Sequence, residues 1–203
     1  MNKVVLSVCA VMAMSSLGFA GGDMKDVEPA IEPVVVVEEE KSGFYAGLGF
    51  SAVSARDADV SMDFFNSKAG QDRLANVSFF AGYNFNEYIA AEGRYTISVG
   101  HRDVVEMSGW SLFVKPQYPV SENFSLYALL GFGGVTLDGI NGANVNVDET
   151  GFQWGLGTSY AMTESFTVFI DYTSLANDMD GVYWNGALQV DADAITVGVN
   201  YLF

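Results

Sequence analysis

Ile195-Thr-Val-Gly-Val-Asn-Tyr-Leu-Phe203, the last nine residues of the chain, alternate strictly between two kinds of side chain. A period of two is typical of a strand whose two faces meet different surroundings. Chain termini usually fray into water, so an ending on an apolar strand predicts a terminus that stays buried. One face carries the large apolar residues Ile195, Val197, Val199, Tyr201 and Phe203, and the other carries Thr196, Gly198, Asn200 and Leu202.

The same alternation recurs through the rest of the chain from Phe44 onward. We predict eight segments of about ten residues, enough to cross a bilayer as tilted strands. The segments are 44–53, 76–85, 89–98, 110–118, 124–133, 152–160, 166–173 and 195–203. Short turns at 86–87, 119–123 and 161–165 alternate with longer connectors at 54–73, 100–107, 136–149 and 175–193. This rhythm predicts an antiparallel up-and-down meander.

Aromatic residues at the segment ends distinguish a membrane barrel from a soluble one. They flank the short turns and the two chain ends, on the apolar face, where they would form a girdle at a lipid interface. A lipocalin-like soluble barrel would leave this almost uncharged apolar belt in water. We therefore predict an all-β fold, an eight-stranded antiparallel up-and-down transmembrane β-barrel. The predicted girdle comprises Phe44, Phe85, Tyr118, Phe124, Tyr160 and Phe166 together with Phe203.

The segment before the barrel has two parts. Residues 1–20 combine Lys3, an apolar run and the small residues Gly18 and Ala20, which predicts a cleaved signal peptide. A single membrane anchor is the alternative, although the apolar run is shorter than the roughly 20 residues that span a bilayer. Residues 21–43 are acidic and contain prolines, typical of an extended periplasmic leash, although residues 34–37 could form a short strand. Residues 44–203 form the predicted barrel domain.

The formal net charge of −16 excludes a nucleic-acid-binding surface, because counterion release needs clustered Lys and Arg. Cys9, the only cysteine, lies in the predicted signal peptide, so we expect no disulfide in the exported chain.

Four charged residues occupy the polar face of the predicted strands: Glu92, Arg94, Lys115 and Asp171. Charges that face a barrel interior are costly unless they are paired, so we expect a polar network across the lumen. An eight-stranded barrel is only wide enough to be filled by side chains, which favours a plug over a gated polar path.

Other functional sites have weaker support in the sequence. Catalysis needs a base beside a nucleophile, and His101, the only histidine, lies on a predicted outer loop. Carboxylates at 57–59 and 177–181 could hold a calcium ion at the rim, but they lack the spacing of a calcium loop. Aromatic residues in the long loops suit adhesion or packing against each other. We expect no cofactor, no metal and no enzymatic activity.

In strand count, loop rhythm and ending, the chain resembles the small OmpA/OmpX-like barrels of Gram-negative outer membranes, often called porin-family proteins. The resemblance implies an integral protein of the cell outer membrane that contacts outer-membrane lipid, lipopolysaccharide and the assembly machinery, and we expect a monomer. It implies that Val199, Tyr201 and Phe203 form the assembly signal. A structural or cell-surface interaction role is favoured over a narrow porin-like channel for small solutes, and a lipid-modifying enzyme is less favoured.

Overall fold

The computed structural model describes residues 42–65, 69–100, 105–142, 144–183 and 187–203. Within these ranges no helix is long and apolar enough to span a bilayer. The described residues form eight strands: β1 (Gly43–Asp57), β2 (Gln71–Asn86), β3 (Ile89–Gly100), β4 (Val105–Pro119), β5 (Phe124–Gly139), β6 (Asn146–Ala161), β7 (Phe166–Tyr183) and β8 (Ala187–Leu202).

The eight strands close into one antiparallel barrel in chain order. Closure depends on the terminal strand, because β1 pairs with β2 on one side and with β8 on the other. The backbone amide of Phe203 also donates to the carbonyl of Phe44 at 2.9 Å. Closure leaves no exposed sheet edge, and the predicted fold class and strand count are confirmed.

The strands are longer than the predicted segments, at 12 residues for β3, 15 to 16 for most others and 18 for β7. The predicted connectors at 54–73, 100–107, 136–149 and 175–193 were therefore wrong in extent, because strand residues occupy part of each. The alternation changes phase at the long-loop end, where apolar residues face the lumen and polar residues face outward. Val53, Leu74, Met107 and Leu137, for example, are buried inside the barrel there. The predicted segments end at this change, because the outward residues beyond it are no longer apolar.

The outer wall between the two ends is an apolar belt. Every strand contributes large, apolar and exposed side chains to it, and representatives are Phe50, Phe79, Tyr95, Leu112, Leu130, Phe132, Leu156, Ile170 and Val197. The opposite parity points into the lumen and contains the buried polar residues. This is the reverse of a water-soluble barrel at the same positions, and it places the belt against lipid.

Candidate functional site

The predicted lumen residues lie on three strands and meet in the barrel interior. Glu92 and Arg94 are two residues apart on β3, so their side chains share the inward face. Lys115 lies on β4, and Asp171 lies on β7 across the lumen. All four residues are between 2% and 8% exposed.

Arg94 connects the two carboxylates. Its Nη1 and Nη2 donate to Oδ1 and Oδ2 of Asp171 at 3.1 and 2.7 Å, and its Nε donates to Oε1 of Glu92 at 2.7 Å. The pair with Asp171 is bidentate, the geometry in which a planar guanidinium binds a carboxylate most strongly. The contact joins residues 77 positions apart in sequence and bridges β3 and β7 across the barrel.

Glu92 and Asp171 accept further hydrogen bonds from the surrounding strands. Lys115 Nζ and the hydroxyl of Tyr45 donate to Oε2 of Glu92 at 2.9 and 2.6 Å. The hydroxyl of Tyr127 donates to Oδ2 of Asp171 at 2.9 Å. Two cations therefore balance two carboxylates, and each carboxylate oxygen has a partner. A balanced and fully hydrogen-bonded set is the form in which buried charges are tolerated.

Aromatic rings enclose the two cations, and all come from inward positions. The Arg94 guanidinium lies 4.9 Å from the ring centroid of Phe80, with Phe113 and Phe169 at 5.5 and 6.0 Å. Lys115 Nζ lies 4.3 Å from the centroid of Tyr127. These are cation–π distances, and the rings also exclude water from the ion pairs. We refer to the four charged residues and these aromatic residues, with Tyr45, as the charged layer.

Lumen glycines provide the space that the rings occupy. A Cβ atom on Gly82 would lie 2.3 Å from Cζ of Tyr45, and one on Gly157 would lie 2.5 Å from Cζ of Tyr127. Gly198 is equally close to Phe169, at 2.5 Å from its Cζ. Each ring therefore packs against a neighbouring strand at a position that has no side chain. The glycine-rich lumen face is a packing surface for the charged layer.

A second layer fills the lumen toward the long loops. It is mainly apolar, and its apolar members form one buried cluster. The side chains of Asp72 and Asn76 are buried among them, against the backbone amide of Val105 and the sulfur of Met107. The side-chain amide of Gln153 is also buried there and donates to the carbonyl of Leu175 at 2.9 Å. We refer to this cluster as the apolar layer; it comprises Val53, Ala55, Leu74, Val105, Met107, Val135, Leu137, Val145, Val147, Leu175, Ala176, Met179, Val190, Ala192 and Ala194.

The second layer and the aromatic partners of the first are not among the residues predicted from the sequence. Tyr45, Phe80, Phe113, Tyr127 and Phe169 all have lumen parity, and a large aromatic residue on the polar face was the available signal. The apolar layer lies mostly in residues that were assigned to connectors.

The predicted girdle residues all point outward near the short turns and chain ends. Phe44, Phe85, Tyr118, Tyr160 and Phe166 are exposed, and Phe124 is half-buried. The residues of the terminal strand, Val199, Tyr201 and Phe203, share this outward face. Edge-to-face contacts link Phe166 to Tyr201 at 5.0 Å and Tyr201 to Phe203 at 5.1 Å.

Several other predicted features fall outside what the structure describes. The signal peptide and leash precede residue 42, and His101 lies between the described ranges 69–100 and 105–142. Among the described residues, no group of three or more His, Cys, Asp or Glu side chains is placed to hold a metal ion.

Comparison with known proteins places the chain among bacterial outer-membrane proteins. A family model described as outer membrane protein beta-barrel domain matches residues 4–203. The virulence membrane protein PagC of Salmonella typhimurium is 33% identical over 114 residues, which are 52% of this chain and 56% of PagC. The match thus spans little more than half the length of that relative.

Solved structures with the same architecture come from other bacteria. Ail, the attachment invasion locus protein of Yersinia pestis, was solved in complex with the heparin analogue sucrose octasulfate. It has a TM-score of 0.53 at 16% identity, covering 80% of this chain and 99% of Ail. Neisserial surface protein A has a TM-score of 0.53 at 17% identity, covering 80% of this chain and 98% of that protein. At these identities the likeness concerns the fold alone.

Proposed function

The chain belongs to the outer membrane protein beta-barrel domain family, and from this premise we propose that it is a sealed barrel that acts as a structural or interacting element at the cell surface. Its place in the outer membrane follows from the family. The closed lumen, the surface role and the absence of enzymatic activity are the proposal. The observation that carries it is the filling of the lumen by two layers of different chemistry.

The charged layer would block solutes because its members hold one another in place. Opening a path past Arg94 would break its contacts with Asp171 and Glu92. Removing one partner from a buried ion pair typically costs about 3–5 kcal/mol, so spontaneous opening by this route would be rare. A gated polar path would need an alternative arrangement of the same charges.

The apolar layer adds a second block of a different kind. Water and ions that passed the charged layer would meet Val135, Leu137, Val147 and Met107, all nearly inaccessible. Apolar constrictions exclude water from pores. A narrow porin-like channel would thus have to open two unrelated seals, and we therefore favour the plugged barrel.

The surface role is supported by the relatives and by the strands that continue past the belt. PagC is a virulence membrane protein by name, and this chain shares a third of the aligned residues with it. The long-loop end carries exposed carboxylates. The positive charge of Arg56 at this end is already paired, with Asp191 at 3.0 Å and Asp193 at 2.5 Å. Such a surface suits a partner with positive charge. Among the described residues, the exposed carboxylates at this end are Asp59, Glu106, Asp138, Asp148, Glu149, Asp178 and Asp180.

A solute-flux assay tests the sealed lumen. Proteoliposomes that contain the folded protein are placed in an isotonic solution of a small amino acid or sugar, and swelling is followed by light scattering. We expect swelling at the rate of protein-free liposomes. Glu164→Gln, an exposed substitution in the turn between β6 and β7, should behave identically. Uptake that scales with the amount of folded protein would contradict the sealed barrel and support the channel.

A further inference from the structure

The first long loop, residues 58–65, does not extend freely from the barrel. Arg56 and Arg73 point to the outer wall, because they alternate with Ala55 and Leu74 of the apolar layer. By the same alternation Gln71 faces outward beside them. All three side chains bind backbone carbonyls of this loop, so the loop lies against the outside of β1 and β2.

The three contacts follow the wall toward the belt. Arg56 Nε donates to the carbonyl of Val60 at 3.0 Å, and Gln71 Nε2 donates to the carbonyl of Asp63. Arg73 Nη1 then donates to the carbonyl of Phe65 at 2.9 Å. Arg73 pairs with Ser54, two residues nearer to the belt than the Arg56–Gln71 pair. Gln71 Nε2 also donates to the hydroxyl of Ser54 at 2.7 Å, so the loop backbone from Val60 to Phe65 is held between the level of the Arg56–Gln71 pair and that of the Ser54–Arg73 pair.

Apolar side chains lie at the end of the loop nearer to the belt. Phe65 is 84% exposed and Met62 is 42% exposed. The amide of Phe65 donates to Oδ1 of Asp63 at 2.9 Å, which fixes the turn that presents the ring. The next outward residues below Arg73 and Ser54 are Ala75 and Ala52, where the exposed apolar belt begins.

We propose that residues 58–65 are an interfacial anchor and that the side chains of Phe65 and Met62 bury themselves in the outer-leaflet lipid. The apolar belt that already faces lipid is continuous with this position on β1 and β2. Aromatic residues favour the boundary between headgroups and acyl chains. A fixed ring at that boundary would hold the loop down and would limit how far the barrel can tilt or shift along the membrane normal.

Paramagnetic NMR on the full protein in lipid nanodiscs tests this anchor. The reporters are the Met62 methyl group and the Phe65 ring, assigned with Met62→Leu and Phe65→Leu. Asn144, which is exposed in the loop before β6, is the control. A lipid carrying a nitroxide near the headgroup should broaden the Phe65 and Met62 signals more than those of Asn144. A soluble gadolinium chelate should broaden Asn144 more.

Two variants distinguish the role of the hydrogen bonds that clamp the loop to the wall from the role of the Phe65 ring. Arg73→Gln removes the guanidinium contact with the Phe65 carbonyl, and we expect the lipid broadening of Met62 and Phe65 to be lost. Phe65→Ser keeps the clamps and should reduce the lipid broadening of the Met62 methyl, which provides a test if Arg73→Gln does not fold. Equal broadening of all three sites by the chelate would overturn the anchor. So would protection from both reagents, because it would mean that protein covers the ring.

Discussion

The Asp171→Asn substitution tests the charged layer at its most connected point. The carboxylate accepts two hydrogen bonds from Arg94, one from Tyr127 and a longer one, at 3.4 Å, from the hydroxyl of Thr173. Asp171 is only 2% exposed. Asparagine keeps the shape but removes the charge and one acceptor. The two cations then face Glu92 alone, which leaves one uncompensated positive charge in the lumen.

The expected cost follows from this arrangement. Breaking a buried ion pair by removing one partner costs about 3–5 kcal/mol. Arg94 keeps its 2.7 Å contact with Glu92, so we expect the lower end, about 3 kcal/mol, in the free energy of unfolding. Urea titration of the folded barrel in lipid vesicles, followed by tryptophan fluorescence, measures this loss.

Two further variants make the result decisive. Asp148→Asn makes the same chemical change at an exposed position on β6 and should alter stability by no more than about 0.5 kcal/mol. Arg94→Met combined with Asp171→Leu removes both charges, and the double variant should be more stable than Asp171→Leu alone. A loss below about 1 kcal/mol for Asp171→Asn, the size of a surface pair, would contradict a buried ion pair between Arg94 and Asp171 that stabilises the barrel.

Three other predictions concern the lumen glycines, the terminal residue and the outer surface. Gly157→Ala should destabilise the barrel by about 1–3 kcal/mol through overpacking against Tyr127, whereas outward Gly93→Ala, whose Cβ meets nothing closer than 3.5 Å, should be nearly neutral in the same titration. Deletion of Phe203 should lower the heat-modifiable barrel in the membrane fraction far more than Phe152→Ala does, and equal levels would argue against an assembly signal. The protein in nanodiscs should pass through immobilised heparin at physiological salt because its outer end is acidic; retention would show that the acidic surface does not govern binding.

The number and order of the strands could be predicted because lipid imposes one pattern on the outer wall. Positions such as Phe50, Leu112 and Val197 must be apolar wherever the wall meets acyl chains, so the period of two is strong there. Beyond the belt the wall meets water and the interior becomes apolar. The strand continues past Val53 and Ala55, but there the apolar residues face the interior and the polar residues face outward. A prediction that follows the outward apolar residues therefore ends the strand too early.

The lumen charges could be located from parity, but their pairing could not be. The alternation along each strand places Arg94 and Asp171 inside the barrel. It does not say which cation pairs with which carboxylate across the lumen. In the closed sheet β3 and β7 are four strands apart and face each other, and the shear of the barrel sets which of their residues lie at the same level. The roles of Tyr45 and Tyr127 depend on the same geometry, together with the glycines against which their rings lie. The position of the first loop against the wall depends on outward side chains beyond the belt, where sequence reasoning expected a connector.

Single-channel recording in a planar bilayer tests the sealed lumen most directly. The reconstituted protein, confirmed as folded by its heat-dependent gel shift, should produce no discrete current steps across the voltage range that the bilayer withstands. This outcome is expected because ions would have to pass both the charged layer and the apolar layer. Reproducible steps whose size changes with Lys115→Ala or Asp171→Ala would contradict the account, since they would place a conducting path through the charged layer itself.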